Sequence, residues 1–169
     1  DLDMAKLDYK YISRLVLQAQ SGSSDAFAEL YAATYQEQYA FAYQYLEDEY
    51  LAQDALQQTY IQSFREIGTL SDAALFLAQL HQIGYKICFD MRRKQNNISS
   101  DSENALVSVD GNQYSIRRIL NLPFTESQII LMKYGDHMTN REIARLMHIS
   151  HSSVRRYLNL GRKRLHQIL

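Results

Sequence analysis

Proline is almost missing from this chain: Pro123 is the only one in 169 residues. Helix interiors reject proline and sheets need many turns, so the scarcity points to an almost all-helical protein. Cysteine is equally scarce. Cys88 stands alone, which excludes a disulfide framework and an all-cysteine zinc site. Tryptophan is absent. No stretch approaches the roughly 18 apolar residues of a membrane span. The chain does not open on a charged segment followed by an apolar one, so a secretory signal is not expected, and Asp1 reads as a trimmed start. With 46% apolar and 22% charged residues there is enough to build packed cores, in one or two small domains.

What is present is unevenly placed. The formal net charge is −1, yet residues 25–80 hold nine acids and one base. Residues 81–97 hold four bases and one acid, and residues 138–169 seven bases and one acid. An acidic first half and a basic end suggest two partner surfaces of opposite sign, the plain alternative being unevenly charged solvated faces.

The apolar pattern of the first half is helical. Leu7, Tyr11, Leu15 and Ala19 recur at helical spacing until Ser21-Gly22-Ser23-Ser24 stops them. Ser24 is placed to cap a second helix whose expected buried stripe is Phe27, Leu30, Tyr31, Tyr35, Ala42 and Leu46. A third helix is expected from about Asp48 to Ile67, with Leu51, Ala55, Tyr60, Ile61 and Phe64 apolar and Gly68 at its C-terminal end. Ser71 opens a long fourth helix that runs through Leu75, Phe76, Leu80, Ile83, Ile87 and Met91 to about Arg93 or Lys94. Gly84 sits inside it, at a cost of about 1 kcal/mol relative to Ala unless close packing needs it. Residues 95–113 are polar, rich in Ser and Asn, and lose the helical period, which marks a linker. The expected fold is all-α: a helical bundle over 1–96, a flexible linker over 97–113 and a helix-turn-helix domain over 114–169.

Ile116, Ile119 and Leu120 begin that last unit, and Thr125 to Gln128 has capping-box spacing for a helix reaching Tyr134. Thr139-Asn-Arg-Glu142 has the same spacing, followed by Ile143, Ala144 and Met147 on one face. Ile149 falls in a short turn. Ser150 can cap a second helix with Val154, Leu158, Gly161 and Leu165 inward and Arg155, Arg156, Asn159, Arg162 and Lys163 outward. A basic helix of this kind can enter the major groove, its N-terminal residues meeting base edges and its cations the phosphates.

The run from Leu122 through Ser150, continuing through Val154, Arg155, Leu158 and Arg162, resembles region 4 of bacterial RNA polymerase sigma factors. Asp25-Ala-Phe-Ala-Glu-Leu-Tyr31, the stretch Ala52 to Phe64, and Phe76 to Arg93 with its Asp90-Met-Arg-Arg ending resemble successive helices of region 2. The two-domain layout, without the family's middle domain, is similar to the extracytoplasmic-function (ECF) group. That resemblance implies an alternative sigma factor that binds the RNA polymerase core and directs promoter-specific initiation. A sigma-like DNA-binding regulator that does not itself support initiation is the alternative.

It further implies polymerase contacts at Asp54, Gln57, Gln58 and Ile61, although Asp54 is also an ordinary first-turn residue. Contacts with the minus-ten element would fall to Gln79, Gln82, Tyr85, Lys86, Arg92 and Arg93. The family usually has Trp where this chain has Gln79 and Asn where it has Lys86, and Tyr85 is expected to offer a stacking face to a base. The minus-thirty-five element would be read by Arg141, His151, Ser152, Ser153, Arg155, Arg156, Asn159 and Arg162. The resemblance also implies an anti-sigma partner and a cytoplasmic protein without membrane insertion.

Other chemistry finds little support. Tyr31, Tyr35, Tyr39, Tyr43 and Tyr60 are expected at the core and its rim rather than as a stacking surface. The five histidines have no tight metal spacing, and Cys88 reads as a buried small hydrophobe. Glu47, Asp48, Glu49 and Asp54 lack a third converging ligand or a phosphate-cradling glycine loop, so neither an enzyme, a cofactor nor a small-molecule substrate is expected.

Overall fold

The computed structural model describes residues 2–98, 119 and 122–168, with side chains over 9–95, 119 and 122–165. Contacts divide the chain into two compact units, Asp1–Ser100 and Asp101–Leu169. Seven α-helices and no strand occur among the described residues.

In the first unit, α1 (Leu2–Gln20) ends where Gly22 takes a φ of 99°, a left-handed backbone that costs glycine little. Ser23, not Ser24, caps α2 (Ser24–Leu46), accepting from the Ala26 amide. Asp48 caps α3 (Glu49–Glu66) through the Leu51 amide. Two short 3-10 turns, Ile67–Thr69 and Ala73–Leu75, lead into α4 (Phe76–Ile98). Asp72 rather than Ser71 caps that entry, and α4 continues past Lys94 and past the expected boundary at 96. The remainder of the expected linker, with Leu7, Ile116, Leu120 and His166, lies outside the described residues or side chains.

The core joins Ile12, Leu15, Val16 and Ala19 of α1 to Ala26 and Leu30 of α2, Leu56 and Tyr60 of α3, and Phe76 and Leu80 of α4. Gln20 closes its end by donating its side-chain amide to the carbonyls of Ile67 and Leu70 at 2.9 and 3.0 Å. Tyr11, expected inward, is exposed and bonds Glu29.

The buried row of α2 also differs from the expected stripe. It is Ala26, Leu30, Thr34, Gln38 and Ala42, so Tyr31 and Tyr35, one position later, ride outside. Two polar residues are tolerated in that row because each has a local use. Thr34 donates to the Leu30 carbonyl at 2.7 Å and shares a hydrogen bond with the Tyr60 hydroxyl. Gln38 lies where α2, α3 and α4 meet. A Cβ on Gly84 would come within 3.1 Å of Gln38 Oε1 and 3.3 Å of Thr59 Cγ2, so the close packing that would offset a mid-helix glycine is present. Ile61, expected among the apolar positions of α3, is instead exposed. Cys88 is buried as expected, and burial pushes its thiol pKa up to about 12.

In the second unit, α5 (Phe124–Ile130) follows Pro123 and runs on into a π-helical turn, Leu131–Gly135. The capping box expected at Thr125 and Gln128 is not formed. Pro123 holds the N-cap position, which leaves Thr125 already inside the helix and Gln128 buried. The box at Thr139 and Glu142 is formed: the Thr139 hydroxyl accepts from the Glu142 amide at 3.2 Å, and Glu142 accepts from the Thr139 amide at 2.9 Å. It starts α6 (Asn140–Met147), and the turn after it leads to α7 (His151–Ile168), with Ser150 accepting from the Ser153 amide. Leu122, Ile129, Ile130, Ile143, Val154 and Leu158 fill the core, and Glu126 pairs with Arg164 at 3.0 Å to tie α5 to α7.

Two substitutions test this packing. His148 holds a φ of 56° just after α6, a conformation that favours glycine. His148→Gly is expected to raise stability by about 0.5–1 kcal/mol in a denaturant melt, from relief of left-handed strain. A Cβ on Gly161 would stand 2.2 Å from Cδ1 of the buried Ile130. Gly161→Ala is therefore expected to cost about 1–3 kcal/mol in the same measurement, although alanine is the better helix former.

Candidate docking and nucleic-acid faces

Asp48 sets the start of α3 and thereby the direction of its solvent face. At about 100° per residue, Asp54, Gln57, Gln58 and Ile61 fall within an arc of about 100°. All four are exposed, and Gln58 donates to Asp54 at 3.2 Å. Tyr50, which sequence reasoning passed over, lies on the same arc and is 86% exposed. Its place one helical turn before Asp54 is the signal that would have found it. The face is polar and acidic in its centre with an aromatic at one end and Ile61, 52% exposed, near the other. The acidic residues there form no grouping of three or more metal-ligating side chains among the described residues.

On α4 the proposed minus-ten residues are not equally available. Lys86 and Arg93 are exposed and share a face with Lys94 and Asp90, while Gln82 is half-buried. Gln79 is buried, and its Oε1 has no hydrogen-bond partner. Tyr85 is only 3% exposed, with Phe41, Tyr45 and Phe89 rings at 6.1, 6.2 and 6.4 Å. The expected stacking face is thus occupied by protein rings, because α4 packs against both α2 and α3 and turns this side inward.

Arg92 also departs from its expected role. Its Nη1 donates to the Tyr45 carbonyl at 2.7 Å, and its guanidinium lies 5.0 Å from the Tyr45 ring centroid. Tyr45 is in the last turn of α2, which has no basic residue of its own. Arg92 therefore supplies from α4 the donor and the positive charge that a helix C-terminus favours. Tyr45 itself is buried, and that burial holds its hydroxyl pKa well above the ordinary value.

The helix-turn-helix keeps its outward residues outward. His151, Ser152, Arg155, Asn159 and Arg162 lie within an arc of about 100° on α7, with Arg156 at its edge, and all six are exposed, as is Arg141 on α6. Ser153 is half-buried and joined to Ser150 at 2.8 Å, so it serves the cap. Arg162 donates to the Tyr134 hydroxyl at 2.7 Å, which holds its guanidinium toward the π-helical turn. Arg156 lies over the neighbouring Tyr157 ring at 5.2 Å.

Arg92 and Arg93 can be separated by experiment. Arg92→Ala is expected to lower stability by about 1–2 kcal/mol without changing the salt dependence of DNA binding. Arg93→Ala is expected to leave stability nearly unchanged and to reduce the slope of log affinity against log salt by about one. A denaturant melt and a salt titration of promoter binding check both.

Residues 115–165 match the family model for sigma-70, region 4. Across nearly its whole length the chain is similar to the ECF RNA polymerase sigma factor SigW of Bacillus subtilis (strain 168): 24% identity over 180 residues, covering 94% of this chain and 96% of the relative. Its fold is similar to that of CnrH, solved in complex with the cytosolic domain of CnrY, with a TM-score of 0.60 and 19% identity over 93% of this chain and 96% of that one.

Proposed function

We infer that this chain is an alternative sigma factor of the ECF group, which binds the RNA polymerase core and directs promoter-specific transcription initiation. The observation that carries this is the pairing, on one chain, of a formed helix-turn-helix with the sigma-70 region 4 match, within a similarity to an ECF sigma factor that runs nearly end to end. The acidic helical unit is the region 2-like part and the basic one the region 4-like part. The exposed stripe Asp54, Gln57, Gln58 and Ile61 meets the core. Lys86 and Arg93 face promoter phosphates near the minus-ten element, with Gln82 beside them.

In the second unit, His151, Ser152, Arg155 and Asn159 are aimed at base edges of the minus-thirty-five element. Arg141, Arg156 and Arg162 neutralise phosphates, which positions the helix without specifying sequence. This division follows the outward arc of α7, on which His151, Ser152, Arg155 and Asn159 lie, while Arg156 stands at its edge, Arg162 near its C-terminal end and Arg141 on α6. The role is one of binding rather than catalysis, in keeping with a family that is not catalytic in the usual sense, and it needs no cofactor or small-molecule substrate. No helix among the described residues is long and apolar enough to cross a membrane. A place beside the polymerase in the cytoplasm is supported by the similarity to an ECF sigma factor. An anti-sigma factor, which the resemblance implies, is a further partner in this reading; CnrH, of similar fold, was solved in complex with the cytosolic domain of CnrY.

Reconstituted transcription tests the reading. Purified core with this chain is expected to initiate at defined sites in a promoter library. Asp54→Ala should weaken core binding about tenfold, and Arg155→Ala should weaken promoter binding by about 1–3 kcal/mol with altered base preference. Failure of the wild-type chain to bind core or to initiate specifically would refute it.

A further inference from the structure

Two arginines of α7 are engaged through Nε, and their acceptors differ in charge. Arg164 Nε lies 3.0 Å from the carboxylate of the buried Glu126, which offsets its charge within the unit. Arg162 Nε donates instead to the Tyr134 hydroxyl at 2.7 Å, and its guanidinium carbon stands 5.6 Å from the Tyr134 ring centroid. A phenol is neutral. It fixes the direction of the guanidinium and leaves the positive charge whole.

Tyr134 stands in the π-helical turn. It comes four residues after Ile130, a spacing that shares a face in an α-helix, and Ile130 is buried against Gly161. Over Leu131–Gly135 the backbone bonds five residues apart, with the Asp136 amide donating to the Leu131 carbonyl at 3.0 Å, so the turn holds one residue more. Tyr134 is off the buried face and 51% exposed. Single π-helical turns recur at functional sites, where an added residue re-aims a side chain.

Arg162 is exposed and lies on the arc that carries His151, Ser152, Arg155 and Asn159, two turns or about 10 Å beyond Arg155. The major groove is only about 12 Å wide. A helix whose first turns meet base edges therefore brings a side chain two turns further on to the rim of the groove, where the anions are phosphates. With Nε engaged, the terminal amino groups of Arg162 remain for a bidentate pair with phosphate oxygens. The Tyr134 hydroxyl accepts from Arg162, so its own proton can go to the same phosphate. A protein carboxylate would also suit this fork, but the shared arc with the base-facing residues favours DNA. We propose that Tyr134 is a positioning residue for promoter DNA, presenting Arg162 to one backbone phosphate beside the minus-thirty-five element and donating a second hydrogen bond to it. The proposal rests on the promoter-binding reading above.

The test uses holoenzyme (core with the full chain), a duplex promoter selected by it from a random pool, and a shuffled duplex of the same length. Tyr134→Phe keeps the ring and removes the oxygen. It is expected to melt as wild type does and to weaken both duplexes equally, by about fivefold. Phosphates made neutral one at a time as methylphosphonates locate the contact. One such change near the minus-thirty-five element is expected to weaken wild type by about tenfold, Tyr134→Phe clearly less and Arg162→Ala hardly at all. Arg162→Lys keeps the charge and loses Nε, so adding Tyr134→Phe to it is expected to cost little more. The proposal is overturned if Tyr134→Phe pays the full penalty at that phosphate, or if its loss persists undiminished beside Arg162→Lys. A lower melting temperature with every phosphate weakened alike would make Tyr134 a structural tie only, and lost core affinity with unchanged DNA binding would point to a protein carboxylate; either overturns it too. In all these cases the promoter-binding reading stands as long as Arg155→Ala weakens the selected promoter. If wild-type holoenzyme selects no duplex, both fall.

Discussion

Three helices of the N-terminal unit meet where Gly84 has no side chain. The space a Cβ would fill is bounded by the Gln38 amide oxygen and the Thr59 methyl at 3.1 and 3.3 Å, so α4 approaches α2 and α3 closely enough that a larger residue would make both neighbours give way by a few tenths of an ångström. Much else follows from that approach. The buried row of α2 carries Thr34 and Gln38 beside this contact, and the tyrosines one position later lie outside it. The same seating turns Gln79 and Tyr85 of α4 inward and brings Arg92 onto the end of α2.

The cations of α4 consequently divide into two kinds. Lys86, Arg93 and Lys94 face solvent and can answer a phosphate backbone, whereas Arg92 is engaged by the protein itself. A similar division holds in the second unit. Arg164 is paired with the buried Glu126, while Arg155, Arg156 and Arg162 remain exposed on α7. Counting bases along the sequence overstates the positive surface that each unit offers to DNA. Distinguishing the two kinds requires knowing what lies opposite each side chain.

That requirement also separates what was legible in the sequence from what was not. The Thr139–Glu142 box and the Ser150 cap could be read directly, because each is a contact between residues three apart and depends on nothing distant. The helical nature of the chain and the exposure of Asp54, Gln57 and Gln58 were legible for related reasons: few prolines and a polar side to an amphipathic helix. The facing of the tyrosines was not. Tyr31 and Tyr35 carry large aromatic rings at the same helical spacing as the residues they were grouped with, and which of two adjacent rows of α2 turns inward is set by what α3 and α4 place against it, not by its own sequence. Tyr85 and Arg92 escaped for the same reason, since their partners Phe41 and Tyr45 lie on another helix. The absent box at Thr125 has a local cause, because Pro123 had already taken the capping position.

The single cysteine has a practical consequence. Cys88 is sealed inside the first unit, and its thiol ionises only near the alkaline end of the scale. A maleimide at neutral pH meets almost no thiolate there and has no path to it. The native sequence is therefore a ready background for fluorescent or spin labels. One cysteine introduced on each helical unit would be the only pair to react, and separations between the two could be followed by energy transfer through binding to core and to promoter without first removing a native thiol.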